Sequence, residues 1–418
     1  MIVCKKKNVF EKYDKEYFVL ANLNYNAVFM FEKDVKIVWD EMNNEIELKD
    51  LINKLHEKGY SVTLEEMRAL VETLTKAGLI YNDQMIEDKE FILENNAYQS
   101  YIDRCSSNNL PSILHLELTN RCNLKCIHCY HDEEFQELEL EDIEHVFQSI
   151  KNTSFIRVTL TGGEIFTYMY WKEVVVKARQ YGLFVCILSN ITLLEESDID
   201  FLNKNKIMFI RTSLYGATEA THDLICKVPG AFFKTYNNIL SLKKEGVEVC
   251  VSCTIMKQNV GEIGILKEMM EKIGVDISFD YKIIPSRKET KDVQRLLITP
   301  EQFKCLEESG LVKRSHKAKC NPGTYRIAIS NSGEIYGCDL LRISLGNIKR
   351  DNLMDVLNGE KMNELKLECN KYQPLECKTC RYEKYCTPCP GLAWNNNRYA
   401  NVHHPLQCIY SKISWDSQ

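Results

Sequence analysis

Between residues 110 and 310 the chain alternates six strand-like runs with amphipathic helical stretches. That alternation narrows the fold more than any other feature. The strand candidates are LHLEL (114–118), FIRVTL (155–160), LFVCIL (183–188), IMFIRTSL (207–214), VEVCVSCTI (247–255) and VDISFDYKI (275–283). Between the first two, LELEDIEHVFQSI puts Leu140, Ile143, Val146, Phe147 and Ile150 on one helical face. Strand–helix repetition builds parallel sheets through right-handed crossovers. A doubly wound sheet and an incomplete barrel both satisfy the pattern, and in both a ligand binds beyond the carboxyl ends of the strands. Three motifs follow strands at that end: TNRCNLKCIHCY (119–130), TGGE (161–164) and LSN (188–190).

The chain holds 418 residues, enough for two or three domains, and its 44% apolar and 27% charged content is that of a globular protein with ample core material. The first residues, MIVCKKKNVFEKYDKEYF, lack the apolar run of a signal peptide, which leads us to expect a cytoplasmic protein. No stretch approaches the roughly 18 apolar residues of a membrane span, so no membrane association is expected. A net charge of −6, with basic runs as short as Lys5–Lys7, argues against nucleic acid as the partner. In a cytoplasmic chain disulfides are uncommon, so eighteen cysteines call for another use. Cys4, Cys105, Cys186, Cys226, Cys250, Cys253 and Cys305 are scattered, and most read as core filling. The others gather at 122–129 and 369–389, with Cys320, Cys338 and Cys408 around the second group. That layout reads as metal ligation.

Two further regions flank the alternating one. In residues 1–90, YFVLANLNYNAVFMF and VKIVWD read as short strands, followed by two helices. The first places Leu48, Leu51, Ile52 and Leu55 on one face; the second begins with Thr63 and Glu66 at capping-box spacing. Such a strands-then-helices unit reads as a docking module. Residues 91–109 read as a linker, 110–315 as the α/β core, and 316–418 as a cysteine-rich region. In the last, YRIAISNSGEIYGC forms a hairpin with NSG at its turn. A fragment so poor in apolar periodicity needs metals, or docking against the core, to fold.

Cys122, Cys126 and Cys129 supply three of the four ligands of a structural zinc site, with His128 or His131 as candidate fourth. Three cysteines on a [4Fe–4S] cluster instead leave one iron open to a ligand from outside. CNLKCIHCY resembles the signature of radical S-adenosylmethionine (SAM) enzymes, C-x3-C-x2-C followed by an aromatic residue, here Tyr130. TGGEI (161–165) resembles that family's GGEP motif with Ile165 in place of proline. LSN stands where the family contacts the ribose of SAM, and RTSLYG (211–216) resembles its later strand motif.

The resemblance implies a partial (β/α)6 barrel, with Cys122, Cys126 and Cys129 holding the cluster whose open iron chelates SAM. It implies one-electron cleavage of SAM to methionine and a 5′-deoxyadenosyl radical that takes a hydrogen atom from the substrate. Tyr130, Gly162, Gly163, Glu164, Ser189, Asn190, Arg211 and Ser213 are the implied SAM contacts: the glycines admit the methionyl group and Glu164 accepts from its ammonium.

The third region resembles the SPASM extension of these enzymes, with Cys320, Gly333-x4-Cys338, Cys377-x2-Cys380-x5-Cys386-x2-Cys389 and Cys408. The family spacing before Cys389 is one residue longer. Carried over, Cys377, Cys380, Cys386 and Cys408 hold an outer auxiliary [4Fe–4S] cluster. Cys320, Cys338 and Cys389 hold an inner one, which Cys369 completes unless that site is open. SAM and three [4Fe–4S] clusters are thus the implied cofactors; two zinc sites are the structural alternative for this region.

Residues 10–80 resemble a winged-helix-like, PqqD-like recognition element, which takes the leader of a ribosomally made peptide as an added edge strand. Together the three parts resemble maturases of ribosomal peptides. They imply a precursor peptide as substrate, a thioether from a cysteine sulfur to a carbon of another residue as product, and a flavodoxin or ferredoxin as electron donor. Carbon–carbon or carbon–oxygen crosslinking uses the same parts. Epimerisation would add a thiol donor such as Cys226, Cys250 or Cys253. Formylglycine formation would not need the first region, and a non-catalytic iron–sulfur peptide-binding protein would not cleave SAM.

Overall fold

The computed structural model describes residues 1–418 apart from 43, 132–134, 287–291, 313–321, 371–376, 378, 384–385, 387, 398–404 and 417–418. All six expected core strands form, as β7 (Ile113–Thr119), β8 (Arg157–Gly162), β9 (Phe184–Leu188), β10 (Phe209–Ser213), β11 (Val249–Thr254) and β12 (Asp276–Asp280), preceded by six N-terminal strands given below. Each pairs in parallel with the next in chain order. Unbroken sequential order is the mark of a partial barrel rather than of a doubly wound sheet, whose order reverses at a switch point.

Five N-terminal helices, α1 (Asp34–Glu41), α2 (Leu48–Glu57), α3 (Leu64–Lys76), α4 (Lys89–Glu94) and α5 (Tyr98–Ser107), precede the barrel. Six more cross between or follow its strands: α6 (Leu140–Ile150), α7 (Trp171–Gln180), α8 (Glu196–Lys204), α9 (Glu219–Cys226), α10 (Ala231–Lys244) and α11 (Ile263–Lys272). The strands show why the two faces differ. Leu114, Leu116, Leu118, Val158 and Leu160 point to the helices and join one buried core with Ile143, Val146, Phe147 and Ile150 of α6. The alternate residues face the barrel interior, which period-two geometry makes a separate surface, polar mainly toward the carboxyl ends at Thr161, Arg211, Ser213, Ser252 and Thr254.

The cysteine-rich region docks on this sheet as its composition requires. β13 (Arg326–Ile329) adds in parallel to β7, β14 (Glu334–Tyr336) turns back through Ser330–Gly333, and β15 (Gly346–Asn347) closes the edge. The NSG turn is as expected: Gly333 takes φ +87°, and its N–H donates to the Ser330 carbonyl at 2.9 Å. A buried ion pair between Glu117 of β7 and Arg342 joins this region to the barrel interior. Removing one member of such a pair strands the other charge. Arg342→Met should therefore lower the unfolding free energy by about 3 kcal/mol, read from the denaturation midpoint, while E117Q/R342M together should recover part of the loss.

The N-terminal region differs from expectation in two places. β1 (Ile2–Lys5) lies between β5 (Ile46–Glu47) and β6 (Ile80–Asn82), and β2 (Val9–Lys12), β3 (Phe18–Asn22) and β4 (Ala27–Phe31) form a second small antiparallel sheet. VKIVWD, read as a strand, is the helix α1. Its β-branched residues favoured a strand, but the helical turn buries Val38 and Trp39 together against Phe18, whose ring lies 6.1 Å from that of Trp39. The supposed linker 91–109 is largely helical. α5 buries Tyr101, Ile102 and Cys105 between the β2–β4 sheet and the barrel, and the Tyr101 hydroxyl donates to the Ser154 carbonyl at 2.9 Å. The expected helices stand as α2 and α3, the latter with its Thr63–Glu66 capping box formed.

This region packs at one particular end of the barrel. Tyr13 N–H donates to the Thr153 carbonyl just before β8, Arg179 to the Leu23 carbonyl, and Asn26 to the Lys206 carbonyl just before β10. Gly182, just before β9, lies against the Phe10 ring. All of these are at the amino ends of the strands. Among the described residues no helix is long and apolar enough to cross a membrane.

Candidate active site

At the opposite, carboxyl end of the strands lies a cavity of about 330 Å³, within the range that small ligands occupy. Period-two alternation supplies its wall: Thr161, Leu188, Arg211, Ser213, Ser252 and Thr254 are inward positions on successive strands. Cys122, Cys126 and Cys129 line it with Tyr130, Gly162, Gly163, Ser189 and Asn190. Of the residues that the resemblance implied for SAM and its cluster, Glu164 alone is off this wall. Tyr215, Ser252, Thr254 and Lys282 were missed in the sequence. Alternation on β11 would have found Ser252 and Thr254, and the end of β12 would have pointed to Lys282.

The cysteine loop leaves β7 at Thr119 and is held on two sides. Gly163 N–H donates to the Thr119 carbonyl and Glu164 N–H to the Arg121 carbonyl, both at 2.8 Å. On the far side Lys125 and Ile127 donate to the Cys226 and Ile225 carbonyls, each at 3.0 Å. The glycines of TGGE are needed first for this contact. A Cβ on Gly162, which takes φ +138°, would lie 2.1 Å from the Thr119 carbonyl oxygen, and one on Gly163 would lie 2.4 Å from that of Arg121. Both positions therefore let the motif lie directly on the cysteine loop, in addition to lining the cavity.

Glu164 is wholly buried beneath the wall. One oxygen accepts from Ser189 Oγ at 2.7 Å and Phe166 N–H at 3.0 Å; the other accepts from Asn190 N–H at 2.7 Å. Burial pushes its carboxyl above the usual carboxylate range, opposed by these donors. It braces the LSN turn against TGGE. Asn190 is fixed in turn, donating to Asn123 Oδ1 at 2.9 Å while its own Oδ1 accepts from Thr192. Asn190 Nδ2 also stands 3.9 Å from Cys122 Sγ.

The cysteines suit an iron–sulfur cluster by the chemistry of their donor set. Burial pushes the Cys122 thiol up to about 12, with Glu164, Cys126 and Cys129 adding to the rise. Such thiols stay protonated at neutral pH until a metal ion takes the proton's place. Leu124 N–H, 3.4 Å from Cys122 Sγ, points a donor at the sulfur where negative charge would reside. Among the described residues no three His, Cys, Asp or Glu side chains close around a single ion. A cubane spreads its thiolates over separate corners, so it does not require that closure.

The second cysteine group is brought together in part. Cys369, on the helix Glu360–Asn370, is buried. Its thiol is pushed up to about 12 by burial, with Cys338 and Cys389 contributing through proximity. Cys338 and Cys389 are likewise held up by burial. Cys377, Cys380 and Cys386 follow one another through tight turns, with N–H donation from Cys380 to Cys377 at 3.3 Å and from Cys386 to Glu383 at 3.1 Å. Cys408 sits on a C-terminal helix, Pro405–Asp416, whose Gln407 donates to the Cys389 carbonyl at 2.9 Å. The same helix uses Tyr410 to bond Ile283 on the cavity wall. Cys320 lies outside the described residues.

His222, behind the wall, accepts from Tyr215 N–H at Nδ1, 3.0 Å away, and burial lowers its pKa to about 4. The unfolded ring titrates near 6.5, so below that pH the unfolded state binds the extra proton. Stability present above about pH 6.5 should therefore fall as pH drops toward 4. The slope approaches about 1.4 kcal/mol per unit, and His222→Gln should flatten this part of the urea-midpoint profile.

Residues 116–269 match the Radical SAM superfamily model, and residues 320–381 match SPASM, the iron–sulfur cluster-binding domain. The chain is 27% identical over 354 residues to the antilisterial bacteriocin subtilosin biosynthesis protein AlbA of Bacillus subtilis, covering 78% of each chain. It is 23% identical to the AdoMet-dependent heme synthase of Methanosarcina barkeri, covering 72% of this chain and 97% of that one. In fold it is similar to Streptococcus suis SuiB, solved with its precursor peptide SuiA: TM-score 0.61, 15% identity, 97% of this chain and 99% of that chain covered. With its cysteine loop at the carboxyl end of a partial barrel and a cysteine-rich domain docked on the sheet edge, the chain belongs to the radical SAM superfamily as an enzyme bearing a SPASM iron–sulfur domain.

Proposed function

We propose that this enzyme matures a ribosomally synthesised peptide by closing a thioether between a cysteine sulfur and a carbon of another residue. It would use SAM and three [4Fe–4S] clusters, with a flavodoxin or ferredoxin as reductant. The observation that carries the reading is the union in one chain of a thiol-lined cavity, a second cysteine group and a three-stranded sheet followed by three helices. The likeness to AlbA, a bacteriocin biosynthesis protein, supports a peptide substrate. When bound, SAM on its cluster supplies a 5′-deoxyadenosyl radical. The chain's part is to hold that reagent against the β10–β12 wall, where Arg211, Ser213 and Lys282 offer polar contacts and positioning carries much of the rate. Thioether closure takes one hydrogen atom, one proton and one electron from the peptide, and the auxiliary site is where the chain offers an acceptor for the electron.

Cys338, Cys369 and Cys389, with Cys320, are the ligand set we assign to the inner auxiliary cluster, and the remaining four cysteines to the outer one. Cys369→Ala should then lower iron content and reduce crosslinked product about tenfold or more, while peptide-independent SAM cleavage continues. Residues 1–90 are assigned to the leader. At β4, the outward N–H of Val28 already donates to Asn96 Oδ1 and its carbonyl accepts from Ala97 N–H. A leader strand on this edge would therefore pair from Met30 onward.

The heme synthase likeness favours a second reading, a porphyrin substrate. One experiment separates the two. Anaerobically reconstituted enzyme is given SAM, dithionite and either a cysteine-containing candidate precursor peptide or an iron porphyrin. A peptide product lighter by two hydrogens and alkylation-resistant at one cysteine supports the thioether; modification of the porphyrin alone would replace it.

A further inference from the structure

The loop carrying Cys126 is stitched to the carboxyl end of α9, and this brings the side chain of Cys226 beside it on the cavity wall. Proton positions there follow by elimination. A backbone amide can only donate, so the 3.0 Å contact from Tyr215 N to His222 Nδ1 makes Nδ1 the acceptor. A neutral imidazole then carries its hydrogen on Nε2, which lies 3.3 Å from Cys226 Sγ. The sulfur of Cys226 is thus an acceptor toward His222, leaving its own hydrogen to be donated elsewhere. Its other side-chain partner is Cys126, and a cysteine thiol, ordinarily protonated at neutral pH, directs its hydrogen there.

We infer that Cys226 is a positioning residue for the SAM-binding cluster, its S–H donating to the sulfur of Cys126 while His222 and the Tyr215 amide fix its orientation. The inference rests on ligation of that cluster by Cys122, Cys126 and Cys129 and is independent of the substrate. Reduction adds negative charge to a cluster, and donors to its sulfurs favour the reduced state. Of the three thiols considered for hydrogen donation to a substrate, Cys226 alone lines the cavity among the described residues, and it is committed to Cys126.

The test uses full-length protein with reconstituted clusters and no peptide, as wild type, Cys226→Ala and Cys226→Ser, with iron and sulfide content measured first. The relevant cluster is the one whose paramagnetic resonance signal changes on adding SAM. At a fixed potential the alanine variant should shift its reduced-to-oxidised ratio about tenfold toward the oxidised form, about 59 mV for one electron. Serine, which keeps a donor, should remain near wild type. An exchangeable-proton coupling to the reduced cluster should vanish in the alanine variant and persist in serine. Unchanged potential and coupling in Cys226→Ala would overturn the inference. Equal shifts in both variants would also overturn it, since packing would then be the cause. So would loss of the cluster from both, which would make Cys226 a ligand or a structural residue. Because no peptide is present, failure of the thioether reading would be seen separately.

Discussion

Cys126→Ala should reduce 5′-deoxyadenosine formation from SAM and dithionite to the level of a no-enzyme control. Iron should fall by one cluster's complement, with the SPASM clusters retained. Three thiols on one cavity wall are the ligand set proposed for the cluster, and the loop that bears them is fixed by bonds to TGGE on one side and α9 on the other. Alanine removes one corner of the ligand set without disturbing those backbone bonds, so the fold should persist. Circular dichroism and the denaturation midpoint should stay close to wild type. Full activity in this variant would remove the assignment of the cavity as the radical site. The expected outcome separates chemistry from architecture, because Cys126 is only partly buried and lies at the edge of the core.

Gly162→Ala should have the opposite signature. Its Cβ would meet the Thr119 carbonyl at 2.1 Å on a backbone with φ +138°. Neither partner is a flexible side-chain end, so β8 and the start of the cysteine loop must separate. Left-handed strain and overpacking together should cost about 3 kcal/mol or more. SAM affinity and cluster content should fall together with the denaturation midpoint, since the same contact sets the position of the loop. A variant with normal stability and normal cluster content would show that the close approach is dispensable.

Much of this was legible in the sequence, for physical reasons. The core strands alternate and their helices carry apolar stripes, so β7 to β12 fall within a few residues of their expected positions. The cysteine spacings are local, so the loop's ligand set could be read without the fold. The missed parts are those that tertiary contacts decide. α1 carries β-branched residues yet is helical because Val38 and Trp39 must reach one core. α5 has its buried Tyr101 and Cys105 dispersed among polar residues, and only the barrel surface makes a face of them. Glu164 looked like a ligand contact because its motif is defined by a ligand. Its three donors, Ser189, Phe166 and Asn190, are known only once β8 and β9 are adjacent. The proximity of Cys369 to Cys338 and Cys389 likewise depends on how the Glu360–Asn370 helix packs against the hairpin.

With the leader held by residues 1–90 as proposed, the placement of that module would act as a ruler. The module is bonded to the amino ends of the barrel strands, and the cavity opens at their carboxyl ends. β7, with seven residues, spans about 20 Å at the rise of a strand. A peptide gripped at one end can therefore offer to the other only a residue at least about six positions away, even fully extended. Positions nearer the grip would be spared whatever their chemistry, so distance along the substrate, as much as side-chain identity, would select which bonds form.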